Sequence, residues 1–360
     1  MPVVPASSEP IPPSPRSPAR RRLLNTAAGT LALGAPFVRA APAVVTLRFH
    51  TFMNAQSAVW KNMHMAWMDA VERDSQGGIR FERHAGMTLG GTPAQLIEQA
   101  RDGVADVVWT QPGYTPGRFP CTEVFELPFV AGAAEPASRA LWQWITGPAQ
   151  EEWKDWRLLA ANVHGPGVFH SRSRVIRRVE DLRAMKVRGP SRPVIRLLAA
   201  LGAAPVGMPL PQVPDALSKG VVDAVVLPWE VTPSVKVEEM TREHTEFEQA
   251  AGALYTLPFV LAMNLARYRA MPAELRAVID RHSGLETSAW LGRTHQSGDA
   301  PARRLAEARG NHVTTLTAAE AQAFRQASDR VDDEWVAAMR GRGLDGQALL
   351  EAAKGLIRRG

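Results

Sequence analysis

The sequence is short of the features that most readily announce a function. Its 360 residues hold one cysteine, Cys121, which excludes an intrachain disulfide framework and a cysteine-cluster zinc site and leaves a buried small hydrophobe as the simplest reading. No Gly-x-Ser-x-Gly elbow, P-loop, His-Glu-x-x-His or Gly-x-Gly-x-x-Gly occurs. The nine histidines are scattered without a close pair at metal-ligand spacing, and Glu123 and Glu126 have no evident acid-base partner. The chain therefore implies no metal and no cofactor. Charge of one sign is also scarce outside one segment. Of the net +6, residues 1–40 carry +4 (Arg16, Arg20, Arg21, Arg22 and Arg39 against Glu9), leaving +2 for the rest, a balance that argues against a nucleic-acid partner. Hydrophobic residues at 45% and charged residues at 22% exclude both a wholly disordered chain and a multi-span membrane protein. The length suits two domains.

What is present begins with an address. After a Pro/Ser-rich stretch, Arg20-Arg21-Arg22 precedes Leu23-Leu24, a mild apolar run from Ala27 to Val38, and small-residue endings at Val38-Arg39-Ala40 and Ala41-Pro42-Ala43. This order predicts a secretory signal over residues 1–43. Adjacent arginines before a weakly apolar run holding Gly29 and Gly34 point to twin-arginine export. The competing reading, an uncleaved anchor, is disfavoured because that run is shorter than the roughly 20 residues needed to cross a bilayer. A mature chain starting near Ala41 or Val44 in the periplasm is expected.

Beyond the signal, a β-rich segment (Val44 to Phe49), an amphipathic helix (Ala58 to Arg73) with Gly77-Gly78 as its stop, and a second strand (Ile79 to Glu82) predict a parallel α/β sheet. Thr92, Pro93 and Gln95 form a helix start, Gly103 a stop, and Val104 to Trp109 a buried strand. The pattern recurs: Gln95 to Gly103 and Gln212 to Gly220 each span eight positions, followed by Val104-Ala105-Asp106-Val107-Val108 and Val221-Val222-Asp223-Ala224-Val225, with Pro112 and Pro228 soon after. One helix-strand unit used twice predicts two lobes of similar topology. The aspartates at matching places are expected to satisfy backbone donors. The polar helices Ala300 to Gly310 and Ala318 to Arg340 are expected on the surface, bridging the lobes.

Between the copies, Met185-Lys186-Val187-Arg188 reads as a strand, and Gly189-Pro190-Ser191 leads into a helix from Pro193 to Leu201. Arg188 thus sits at the carboxyl end of a strand beside a helix N-terminus, where open α/β sheets bind ligands and anions are favoured. It is either a carboxylate clamp or a solvated arginine. His170, in a strand edge after Phe169, is either a ligand contact or an ordinary hydrogen-bonded histidine. An exported two-lobed chain lacking a catalytic constellation points to binding.

Several segments then resemble a known family, the solute-binding proteins of tripartite ATP-independent periplasmic (TRAP) transporters of the dicarboxylate-binding (DctP) type. They are Leu89-Gly90-Gly91-Thr92-Pro93, Glu126-Leu127-Pro128-Phe129, Glu180 through Arg188, Leu201-Gly202-Ala203-Ala204-Pro205, Ala216 through Asp223, Met263-Asn264 and Met271-Pro272. The resemblance implies a periplasmic-binding-protein type II-like α/β fold, two lobes around a ligand cleft joined by long connecting helices. The lobes are expected over 44–165 with 254–293 and over 166–253 with 294–360. It further implies a monomer that closes on an organic-acid anion for membrane transporter subunits, with Arg188 forming the bidentate bond to the ligand carboxylate.

Where many members continue after the aspartate with Gly-Gln-Glu-Asn-Pro, this chain reads Asp223-Ala224-Val225-Val226-Leu227-Pro228. Val168 stands where sialic-acid-binding members carry a second arginine. Both departures remove polar partners and disfavour sialic acid and C4-dicarboxylates. Leu210 matches an apolar ligand-facing position, and Trp229, Phe169, Tyr114 and Phe52 follow strands, each readable as cleft wall or as core. With Gln111 and Ser191 they complete the expected site. The expected ligand is a monocarboxylate with an apolar or aromatic body; the competing class is an exported enzyme or a ligand-dependent sensor acting on small organic acids.

Overall fold

Leu47 and Phe49 of the strand Val45–Thr51 are buried while Arg48 between them is half-buried and Thr46 before them exposed, the alternation that one covered sheet face imposes. The structure, a computed structural model, describes residues 44–359; the expected signal region 1–43, with its arginines and cleavage points, lies outside the described residues. Among the described residues eleven strands follow one another: β1 (Val45–Thr51), β2 (Ile79–His84), β3 (Val107–Thr110), β4 (Trp156–Val163), β5 (Val168–Ser171), β6 (Lys186–Gly189), β7 (Ala204–Gly207), β8 (Ala224–Leu227), β9 (Glu243–Phe247), β10 (Pro258–Asn264) and β11 (His312–Leu316). They form two sheets, one ordered β2-β1-β3-β10-β4 and the other β7-β6-β8-β5-β9-β11.

The two orders are the same design. In the first sheet β1 runs parallel to β2 and β3, and β10 lies antiparallel to β3. In the second, β6 runs parallel to β7 and β8, and β5 lies antiparallel to β8. β3 and β8 are the strands of the two sequence copies. The glycines that stop the helices before them are both left-handed, Gly103 at φ +74° and Gly220 at φ +68°, a conformation that glycine adopts without a Cβ penalty.

The strands start later than the apolar runs predict. Val104 and Val221 are 45% and 47% exposed, because their N–H groups still bond back to helical carbonyls, Gln99 and Ala216 respectively. The ladder begins only past the aspartates, which hold the neighbouring strand: the Arg48 N–H donates to Asp106 (2.8 Å) and the Lys186 N–H to Asp223 (2.9 Å).

Chain crossings occur between β4 and β5 and again between β9 and β10. The helix Ala318–Arg340 bridges the lobes, packing Phe324 on Phe169 beside the second sheet while Trp335 donates its indole N–H to the carbonyl of Pro120 on the first-lobe side. A capping box starts it, the Thr317 N–H donating to Glu320 at 2.8 Å. Cys121 is buried, and burial pushes its thiol up to about 12. Among the described residues no helix is long and apolar enough to cross a membrane.

Candidate functional site

The carboxyl ends of the parallel strands of both sheets meet at one cavity, the position where open α/β sheets bind ligands. From the first lobe come Phe52 after β1, Trp109 in β3, Tyr114, and Phe259 in β10; from the second come Arg188 in β6, Leu210, and Leu227 with Glu230 around the end of β8. Aromatic rings dominate the wall. Trp109 and Phe259 stack at 4.2 Å, Phe52 lies against Trp109 at 5.7 Å, and Tyr114 meets Phe52 edge-on at 5.3 Å. Two bonds join residues of the two lobes, from the Asn54 amide to the Ser234 carbonyl (2.9 Å) and from the Leu210 N–H to the Tyr114 hydroxyl (3.1 Å).

Arg188 is 1% exposed. Its Nε donates to the carbonyl of Met208 at 2.9 Å and its Nη1 to that of Val226 at 3.3 Å, and among the described residues no carboxylate pairs with it. Burial lowers its affinity for the proton, opposed by the nearby hydroxyls of Tyr114 and Tyr255. The Tyr255 hydroxyl is itself buried without a partner, and burial raises its pKa. A guanidinium taken out of water without a counter-ion is costly, and an incoming carboxylate supplies what is missing.

A hydrogen-bonded chain runs behind the aromatic wall, and its direction is determined. The Trp109 indole can only donate, so the Asn162 atom it meets at 3.1 Å is the carbonyl oxygen. The Asn162 amide then donates to His295 Nδ1 at 2.9 Å, leaving Nε2 to donate to Glu230 Oε1 at 2.8 Å. His164 is likewise oriented: its Nδ1 donates to the carbonyl of Gly165, and burial holds its pKa down at about 3. His164 Nε2 and Glu230 Oε2 are buried and have no hydrogen-bond partner.

Of the expected site residues, the structure brings Arg188, Tyr114, Leu210 and Phe52 to the cavity. Gln111 and Ser191 meet elsewhere, around Gly113, where an added Cβ would lie 2.4 Å from the Gln111 amide, 2.8 Å from Glu126 Oε1 and 2.9 Å from the Ser191 Cβ. All three side chains are buried, and burial, opposed by the neighbouring Ser191 hydroxyl, pushes Glu126 up to about 8. Beside them Arg192 of the second lobe binds both oxygens of Glu123 of the first, at 3.0 and 2.7 Å.

Phe169, His170 and Trp229 are not brought to the cavity. Phe169 packs on Phe324 in the core. His170, its neighbour on the opposite face of β5, bonds His244 at 2.7 Å and the Leu227 carbonyl at 3.2 Å. Trp229 packs beside them and donates to Glu246 at 2.8 Å; at the start of a helical turn it is buried away from the cavity while Glu230, the next residue, lines it. Trp109, Phe259, His164, Leu257, Glu230 and His295 were not among the expected residues. Trp109 had a local signal as the end of the buried strand that opens on Val104, and Leu257 and Phe259 had one in the apolar run Leu257 to Met263, which reads as another buried strand.

The chain matches the family model described as "Bacterial extracellular solute-binding protein, family 7" over residues 49–338. Among solved structures, it is 55% identical to a TRAP solute-binding protein from Rhodoferax ferrireducens T118 in complex with copurified benzoate, covering 88% of this chain and 98% of that one, with a TM-score of 0.87. A marine metagenome TRAP solute-binding protein specific for aromatic acid ligands, solved with 3-hydroxybenzoate, is 41% identical over 88% of this chain and 99% of that one, with a TM-score of 0.86. A TRAP periplasmic solute-binding protein from Bordetella bronchiseptica, with bound (R)- and (S)-mandelate, is 27% identical over 88% and 99%, with a TM-score of 0.79.

Proposed function

Because the chain belongs to family 7 of the bacterial extracellular solute-binding proteins, we propose that its cavity captures an aromatic monocarboxylate and delivers it to TRAP membrane subunits. The carrying observation is Arg188, a buried guanidinium that no carboxylate of the described chain neutralises, facing a cavity walled by Phe52, Trp109, Tyr114, Phe259 and Leu227. The guanidinium fork matches the two oxygens of a carboxylate, and the rings offer a slot for a flat apolar body. The benzoate, hydroxybenzoate and mandelate ligands of the related structures support the same chemistry.

The family's members are periplasmic solute-binding proteins of transporters rather than enzymes. For this chain we add export by a twin-arginine signal over residues 1–43, a monomeric state, and lobes spanning 44–165 with 254–293 and 166–253 with 294–360. Capture follows from closure: the anion enters the open cleft, the lobes swing about the crossing segments, and the ligand stabilises the closed form by its differential affinity for it.

Calorimetric titration of residues 44–360, refolded to remove carried-over ligand, tests the reading. Benzoate, the hydroxybenzoates and mandelate are compared with succinate and malate. At least one aromatic monocarboxylate is expected to bind about a hundredfold more tightly than either dicarboxylate; tighter binding of succinate or malate overturns the proposal.

A further inference from the structure

The cavity wall carries polar groups of opposite hydrogen-bonding sense. On one side stand Arg188, which only donates, and the hydroxyl of Tyr114, which accepts from the Leu210 N–H and so keeps its own hydrogen to give. The other groups are lone pairs. His164 spends its one ring hydrogen on the Gly165 carbonyl, so its buried Nε2 can only accept. Glu230 receives the His295 hydrogen on Oε1, in an order dictated by Trp109 and Asn162, and its Oε2 is buried with nothing bonded to it. Both residues line the same cavity as Arg188. Buried acceptors left empty cost free energy that a donor would recover.

We propose that Glu230 Oε2, assisted by His164 Nε2, is a receptor for a hydrogen-bond donor on the ligand, so that the preferred ligand is an aromatic carboxylic acid bearing a ring hydroxyl. This rests on the reading of the cavity as an aromatic-carboxylate site. The carboxylate goes to Arg188 and the O–H to Glu230. The same arrangement rejects a second carboxylate, whose charge would face that of Glu230, and an ether at the hydroxyl position, which brings only lone pairs to lone pairs. Burial first, and then the nearby Glu230 carboxylate, push the neighbouring Asp299 carboxyl up to about 8.

The test titrates wild-type protein, cleared of carried-over ligand, with benzoate, the three hydroxybenzoate isomers and the matching methoxybenzoates. At least one hydroxy isomer is expected to bind about tenfold to a hundredfold more tightly than benzoate, with its methoxy analogue weaker than benzoate. If benzoate binds as tightly as every hydroxy isomer, or a methoxy analogue binds best, the receptor is overturned while the aromatic-carboxylate reading stands; if none of these acids binds, both fall. Glu230→Gln keeps an oxygen for His295 and places an amide N–H where Oε2 was. In that variant the margin of hydroxy over methoxy is expected to shrink at least tenfold, and an undiminished margin in a folded variant overturns the assignment to Glu230.

Discussion

The two lobes place different residues at one position of one design. The residue two places beyond the strand N–H held by the repeated pattern's aspartate is His50 in the first sheet and Arg188 in the second. His50 is fully buried and fully partnered: its Nε2 accepts from the Leu89 N–H at 3.4 Å, so its Nδ1 donates to Gln99 at 2.8 Å, and burial keeps it neutral. Arg188 is as buried, permanently charged, and without a counter-ion among the described residues. The topology therefore accepts a neutral, satisfied side chain at this position. The charge at Arg188 is a burden on the empty fold that an anionic ligand relieves, which separates a binding residue from a structural one more sharply than either lobe does alone.

Removing the charge breaks the comparison with the largest effect. Arg188→Met is expected to weaken aromatic-carboxylate binding by about 2–5 kcal/mol, some 30-fold to several thousandfold, by calorimetry. The ligand-free variant should melt no lower than wild type, because an unpaired buried charge has been replaced by an apolar chain of similar length. An unchanged affinity would remove Arg188 from the site.

A second effect comes from Glu126, whose carboxyl burial pushes up to about 8. The unfolded chain gives up this proton near its ordinary value of 4.5, while the folded chain keeps it to about 8, so folded stability is lost as pH rises between those limits. The slope is up to about 1.4 kcal/mol per pH unit, the value for one proton. Glu126→Gln should flatten that decline in denaturation curves taken from pH 5 to 8. Because Glu126 meets Ser191 from the other lobe around Gly113, ligand affinity should follow the same trend.

The contrast of His50 and Arg188 also shows what was legible in the sequence. The repeat could be read because Gly103 and Gly220 are backbone requirements that leave a fixed spacing, and Arg188 because a strand end followed by a helix start is a local pattern. Its lack of a counter-ion was not legible, since that depends on every chain segment reaching the cavity. His164 and Leu257 arrive through the crossings beside β4 and β10, strands paired across about a hundred residues of sequence. Trp229 and Glu230 are neighbours at the start of one helical turn, and only the packing of the Asp299–Ala308 helix, whose Asp299 accepts the Glu230 N–H at 3.0 Å, decides which of them faces inward. Phe169 and His170 lie on opposite faces of a strand that is buried on both, so alternation could not pick a cavity side.

His50→Leu sharpens the comparison from the structural side. It strands the Gln99 carbonyl and the Leu89 N–H, so it should cost about 1–3 kcal/mol of folding free energy in chemical denaturation while leaving affinity within about twofold. A large affinity loss with intact stability would mean that both lobes use this position for ligand.

The smallest effect is expected where the lobes touch outside the cavity. Arg192 donates to both oxygens of Glu123 across the interface, but its side chain is 32% exposed, so solvent screens the pair. Arg192→Gln should weaken ligand binding by about 0.5–1 kcal/mol, seen as faster release in stopped-flow tryptophan fluorescence, because the contact forms only with the lobes together. Raising the salt concentration should produce the same acceleration in wild type and little in the variant, whereas the Arg188 contact, closed off from water, should respond far less. A variant as salt-sensitive as wild type would place the screened charges elsewhere on the closing surfaces.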